Sequence, residues 1–296
     1  MKQVKLILDT DMGSDYDDAG AIAVMHNLSR EGFADVLAVT YCSSDKKSAV
    51  AIKALNNWYG KADIPVGVYE EKEFLVEKKL QRFTYPIAES YLENNEMPKI
   101  ENATKVLRKA ISENKDVTLC VIGMLNNIAE LLKSKPDEIS DLSGEELVRQ
   151  NVKNMYVMGG NFKDATYCEY NIRTDVESAN YVASHFPSPI IYCGFEIGDG
   201  VVTGINLKNE PDENLTKMAY YYGSCMSEDY QRDSYDPITV YCAIKQDNSF
   251  YKVVTDVKVT FGENGETNFE NGGKDSFLVQ NCTVEEIRDE IDKYII

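Results

Sequence analysis

The chain has 296 residues, 43% of them hydrophobic, and a formal net charge of -18. That length and apolar content suffice for one large core, and no low-complexity segment divides the chain, so residues 1–296 read as one domain. The acidic balance excludes nucleic acid and anionic membrane surfaces as partners, because a polyanion is repelled where no basic patch gathers counter-charge; a small neutral or cationic ligand fits better.

Leu6, Ile7 and Leu8 form the short apolar run of a strand buried on both faces of a parallel sheet. Lys5 interrupts that run, so it is no signal-peptide core, and nowhere does the chain approach the roughly 18 apolar residues of a membrane span, which points to a soluble cytoplasmic protein. The strand empties into five aspartates, Asp9, Asp11, Asp15, Asp17 and Asp18, with Gly13 allowing a tight turn before a small-residue helix over 19–25. Open α/β sheets bind ligands at the carboxyl ends of their strands. Five like charges so close repel unless a cation or shared protons hold them, and oxygen donors without nearby His or Cys favour Ca²⁺ or Mg²⁺ over zinc. The loop is not an EF-hand, because the fifth, sixth and twelfth positions counted from Asp9 are Gly13, Ser14 and Gly20. A plainer alternative is a solvated acidic turn in which Asp15 or Asp17 caps the next helix.

A strand over 36–41, a helix over 48–59 and a short strand over 64–68 continue a β-α-β-α-β alternation. This predicts an α/β fold with a mostly parallel, doubly wound Rossmann-like sheet flanked by helices. Residues 70–100 are charged and aromatic with little periodicity and read as an insertion or lid. A helix over 102–114 and a strand over 117–122 lead into Gly123-Met124-Leu125-Asn126-Asn127-Ile128-Ala129. An ordinary strand-to-helix turn, with Gly123 at positive φ and Asn126 as cap, accounts for these residue types. The strand over 154–158 ends in Gly159, Gly160 and Asn161, and Glu169-Tyr170-Asn171-Ile172 follows. Beyond a strand over 189–195, residues 210–230 look helical, with a run of tyrosines that suits core packing. Asp236 before Pro237 reads as a helix N-cap with Pro at the first turn. A strand over 253–261, a hairpin tip at Asn264-Gly265 and a helix over 284–295 complete the chain. The seven cysteines are odd in number, widely spaced and without a Cys-x-x-Cys pair, and read as reduced core thiols.

Asp9-Thr10-Asp11-x-Gly13-x-Asp15-x-Asp17-Asp18-Ala19 resembles the signature of the nucleoside hydrolases, calcium-dependent enzymes that cleave the N-glycosidic bond of nucleosides. It carries two extra residues before the final Asp-Asp-Ala. The turn at Gly123 resembles the family's Gly-Pro-Leu-Thr-Asn-Ile-Ala; Met158-Gly159-Gly160 with Glu169-Tyr170-Asn171-Ile172 resembles its sugar-binding loop; and the stretch ending in Tyr235-Asp236 resembles its closing motif. The resemblance thus covers nearly the whole chain. The competing identity is a haloacid-dehalogenase-type phosphatase, with Asp9 as nucleophile and Asp11 as acid. That superfamily wants a Lys and a late acidic pair after a strand, whereas the late match here is an Asp before a helix.

The resemblance implies the nucleoside hydrolase fold and release of free base and ribose. It implies Ca²⁺ held by Asp11, Asp18, the Ile122 carbonyl and Asp236, with Asp15 beside the ligands or taking a ligand's place if the insertion is aligned differently. Asp11 is the expected base for water, Asp9 orients the loop, and Asp17, Asp45, Asn161, Glu169 and Asn171 are expected to bind the sugar. Asp45 stands where the family has Asn. Tyr235 stands where many members carry a His that protonates the base, and is the candidate acid, although a phenol with a pKa near ~10 is a poor one. The two histidines, His26 and His185, lie outside every motif. A further reading is a catalytically idle nucleoside-binding protein that keeps the pocket but not the acid. The expected partner is a small-molecule nucleoside, with no nucleic acid and no membrane, and a homo-oligomer, dimer or tetramer, stays open.

Overall fold

The computed structural model describes residues 3–13, 15–247 and 249–296. In chain order the elements begin with β1 (Val4–Thr10), α1 (Asp17–Arg30), β2 (Ala34–Tyr41), α2 (Lys46–Trp58), β3 (Val66–Val68), α3 (Thr84–Leu92), β4 (Glu101–Asn102) and α4 (Ala103–Ser112). The middle of the chain supplies β5 (Val117–Val121), α5 (Asn126–Lys133), α6 (Gly144–Asn151), β6 (Val152–Met158), α7 (Tyr170–Thr174), α8 (Val176–His185) and β7 (Ile190–Cys193). It closes with β8 (Val202–Thr203), α9 (Leu215–Gly223), β9 (Arg232–Asp233), α10 (Tyr235–Lys245), β10 (Tyr251–Phe261), β11 (Thr267–Asn271), β12 (Asp275–Gln280) and α11 (Val284–Ile295).

Ten of these strands form one sheet in the order β11-β10-β12-β7-β6-β5-β1-β2-β3-β4. Only β10 runs against its neighbours; every other pairing in this sheet is parallel. Side chains alternate across a strand, and β1 shows the consequence. Leu6 and Leu8 join a core layer with α1, α2, α9, α10 and α11, while Ile7 joins the opposite layer with α4, α5, α6 and α8. From β1 the chain builds outward through β2, β3 and β4, and from β5 it builds the other way through β6 and β7. The loops leaving β1 and β5 therefore diverge and open a crevice where the strand order reverses, the place where such sheets take their ligands.

Several local expectations shift. The helix expected over 210–230 shortens to α9, which the Asn214 side chain caps through Lys217 N–H at 3.0 Å and which gives way to Cys225 and Met226 at φ 60° and 68°. Within 70–100, α3 packs on α2, and Phe83 and Ile87 are buried, so this part of the segment shares the core. Gly123 does not have positive φ. Its need is space, since a Cβ there would stand 2.8 Å from the Asp11 backbone nitrogen. Asn126 is not the cap of α5; its amide instead donates to the Cys42 carbonyl at 2.8 Å. Four cysteines are buried, Cys168 and Cys282 are partly so, and Cys225 is exposed, so not all are core thiols. No helix among the described residues is long and apolar enough to cross a membrane.

Candidate active site

The loop after β1 is fixed from below by Asp9. Its Oδ1 accepts from Asn127 Nδ2 at 2.8 Å and from the Thr40 hydroxyl, which ties β1 to α5 and β2. Burial pushes the Asp9 carboxyl up to about 7 despite these two donors. Thr10 donates to Asp18 Oδ1 and accepts from Met12 N–H at 3.1 Å, and Gly13 turns at φ 128° with a Cβ-sized space already filled by Gln81. The loop thus folds back so that its last two aspartates enter the first turn of α1.

Asp17 does not cap its own helix. Its Oδ2 accepts from the backbone N–H groups of Tyr235 and Asp236, each at 3.1 Å, and so caps α10, whose own N-cap residue Ser234 makes no side-chain cap bond. Asp236 accordingly sits inside the first turn rather than at the cap. The bridge from α1 to α10 brings oxygens of Asp17, Asp18 and Asp236 within 4.8 Å of one another, all three residues buried. Burial, then the charges of neighbouring aspartates, holds all three carboxyls well above the usual range. Asp18 Oδ2 has no hydrogen-bond partner among the described residues. Crowded carboxylates with an unsatisfied buried oxygen and no imidazole or thiolate are the donor set of a hard divalent cation, so the residues fit Ca²⁺ or Mg²⁺.

A cavity of about 380 Å³ opens over this cluster. Asp11, Asp15, Asp17, Ile122, Glu169, Asn171 and Asp236 are among the residues that line it. Glu169 caps α7 by accepting from Asn171 N–H at 2.7 Å and Ile172 N–H at 3.1 Å, and burial pushes its carboxyl up to about 7. Asn171 Nδ2 donates to the Ile122 carbonyl at 3.1 Å, leaving that oxygen a second lone pair. Tyr167, Phe195 and Tyr235 form an aromatic row along the wall, with centroid spacings of 4.4 Å and 5.0 Å. Burial, then the nearby Asp233 and Asp199 charges, pushes the Tyr235 phenol up, away from acid strength at neutral pH.

Not every expected residue gathers here. Asp15 lines the cavity but forms an ion pair with Arg232 instead of joining the three clustered aspartates. Asp45 lies off the cavity, capping α2 through Lys47 N–H at 3.1 Å and accepting from the Ser48 hydroxyl at 2.7 Å. Asn161 is likewise not a lining residue; its Oδ1 turns back to Lys163 and Asp164 N–H. His26 is buried against Asn56 and His185 stacks on Tyr181, and neither lines the cavity. Conversely, Phe195, Tyr167 and Arg232 carried no assigned role from sequence. Arg232 had one readable signal, a lone cation four residues before Asp236 in an acidic stretch.

Three comparisons bear on identity. The family model described as inosine-uridine preferring nucleoside hydrolase matches residues 6–290. No curated protein sequence gives a significant match. Among solved structures, a plant nucleoside hydrolase is similar with TM-score 0.75 and 19% identity over 99% of this chain and 98% of that one. An inosine-uridine preferring nucleoside hydrolase from Bacillus anthracis gives 0.74 and 14% over 99% of each chain. A purine-preferring ribonucleoside hydrolase from Gardnerella vaginalis gives 0.71 and 17% over 98% of each. These identities speak for the shared fold, while the family match spans nearly the whole chain. With its sheet, its switch-point cavity and its acidic loop in agreement, the chain belongs to the inosine-uridine preferring nucleoside hydrolase family, hydrolases that act on N-glycosyl compounds.

Proposed function

We propose that the protein hydrolyses the N-glycosidic bond of ribonucleosides, releasing free base and ribose, with Ca²⁺ in the acidic cluster. The observation that supports this most is one cavity holding three kinds of group: clustered carboxylates, the polar side chains of Glu169 and Asn171, and an aromatic row. Asp18 and Asp236 would hold the cation, with Asp11, Asp17 and the Ile122 carbonyl beside them. When bound, it supplies Lewis acidity toward water and toward vicinal hydroxyls.

The remaining chemistry falls to the side chains. Asp11 takes a proton from the attacking water as general base. Glu169, Asn171 and Asp17 orient the sugar, because buried hydroxyls must both donate and accept. Positive charge builds on the ring as the C1′–N bond stretches, and the fixed carboxylates stabilise that charge more in the transition state than in the ground state. The aromatic row offers faces to a planar base. Asp45 and Asn161 support loops around this site rather than entering it.

A second reading, an idle nucleoside-binding protein, draws on one observation: no histidine lines the cavity. Incubation with a panel of ribonucleosides, with and without Ca²⁺, followed by chromatography for free base separates the two. Base release that depends on the cation is the expected result, whereas binding of nucleoside without release would mark the idle protein. Phosphate release from p-nitrophenyl phosphate in place of base release would revive the phosphatase alternative.

A further inference from the structure

Hydrolysis of an N-riboside needs help at both ends of the breaking bond, and the residues above serve the sugar end. At the other end the electron pair of the C1′–N bond departs on the base. A protein can meet that charge with a proton or with a fixed cation and hydrogen-bond donors. No imidazole lines the cavity, and a phenol is a weak acid at neutral pH.

Among the described residues, Arg232 is the only cationic side chain that lines the cavity. It stands on β9, three residues before Tyr235, and its guanidinium lies 5.7 Å from the Tyr235 ring centroid and 5.6 Å from that of Tyr16. It therefore borders the aromatic row, where a base would lie, and also the carboxylates, its Nε being 3.9 Å from Asp17 Oδ1. Asp15 grips it through Nη2, and the buried Nε–H has no hydrogen-bond partner among the described residues. An unpartnered buried donor on a guanidinium is costly unless something comes to meet it. One of the five aspartates that give the N-terminal loop its character, Asp15, is thus spent on orienting this arginine.

We propose that Arg232 is the leaving-group residue of this enzyme: it hydrogen-bonds and neutralises the departing base, with Asp15 as the positioning residue that aims it. This rests on the hydrolase reading given above. In the step, the C1′–N bond breaks with its electron pair on the base nitrogen, and a C1′–O bond forms to water. One water proton passes to Asp11 and onward to solvent, the other stays on the new anomeric hydroxyl, and the anionic base leaves against Arg232 and takes its proton from solvent. A guanidinium does not give up a proton at neutral pH, so its contribution is charge and donors alone. The substrate class that suits it is a nucleoside whose base spreads the developing charge onto ring nitrogens or carbonyl oxygens that can accept.

The test compares wild type, Arg232→Gln and Arg232→Lys on inosine and on p-nitrophenyl riboside, whose leaving group is a stable anion without assistance. Removing a donor from a developing anion costs on the order of 10²-fold. Arg232→Gln is therefore expected to raise the ratio of kcat/KM for the aryl riboside over that for inosine by about 10²-fold, with Arg232→Lys in between. Millimolar guanidinium is expected to restore inosine turnover in Arg232→Gln preferentially. A melting curve like that of wild type shows that the variant is folded, and where Arg232→Gln fails to fold, Arg232→Lys carries the same ratio. Equal losses on both substrates, or no guanidinium rescue, would overturn the role of Arg232 while leaving hydrolysis intact. Wild-type protein that cleaves neither substrate would overturn the hydrolase reading and this role with it.

Discussion

At the scale of single residues, the carboxylates of the first loop divide their labour by what each one touches. Asp9 Oδ1 is taken by Thr40 and Asn127, Asp15 by Arg232, Asp17 by the start of α10, and Asp18 by Thr10 and its place among the three clustered aspartates. Asp11 is a buried loop aspartate that lines the cavity, and the proposed function assigns the water to it. Asp11→Asn, assayed at saturating Ca²⁺, is expected to lower kcat by at least about 10²-fold while sugar binding survives, as for loss of a general base. Rapid-quench turnover together with ribose titration checks this. Near-normal turnover would move the base elsewhere in the loop. The sequence made the five aspartates visible as a group but not their separate duties, because a duty depends on a partner up to hundreds of positions away.

Among the elements, the contact that matters most joins two motifs far apart in the chain. Asp17 opens α1 yet caps α10, so the first acidic loop and the closing Tyr235-Asp236 motif are one structural unit. A cap of this kind is worth about 1 kcal/mol. Asp17→Asn and Asp17→Ala remove the same charge, but only Asn keeps an acceptor for the two N–H groups. At equal pH, Asp17→Ala is therefore expected to be the less stable by about 1 kcal/mol. Urea unfolding of the two variants gives that difference directly, and equal midpoints would dismiss the cap. Strands and the parallel sheet were legible from short apolar runs, since burial on both faces leaves a strong compositional mark. The cross-chain cap was not, because Asp236 before Pro237 is the local pattern of a helix that caps itself. Asp45 shows the converse: a residue aligned with a family sugar contact is used up locally on α2.

For the whole molecule, the site is a store of burial-raised carboxyls at the heart of a fold of net charge -18. Asp9 and Glu169 both sit at about 7 in the folded protein and near ~4 when unfolded. The folded state therefore binds more protons than the unfolded state up to about pH 7, and stability falls as pH rises through that value. His26, lowered to about 4 by burial, weakens the fold only below its unfolded value near ~6.5, outside this range. Metal-free protein is thus expected to lose at least about 3 °C in Tm between pH 6.5 and 8, and Ca²⁺ to raise Tm more at pH 8 than at pH 6.5, since cation and protons compete. Scanning calorimetry over that range is the check, and a chelated protein whose Tm climbs with pH would refute the reading.

The central claim, a cation-dependent N-ribosidase built on Asp11, Asp18 and Asp236, meets its most direct test in one combined measurement: elemental analysis of the purified protein alongside chelator titration of nucleoside hydrolysis. One divalent ion per chain is expected, with base release falling in step with its removal and returning when Ca²⁺ is restored. Metal-free protein that still releases base at the original rate would contradict the account.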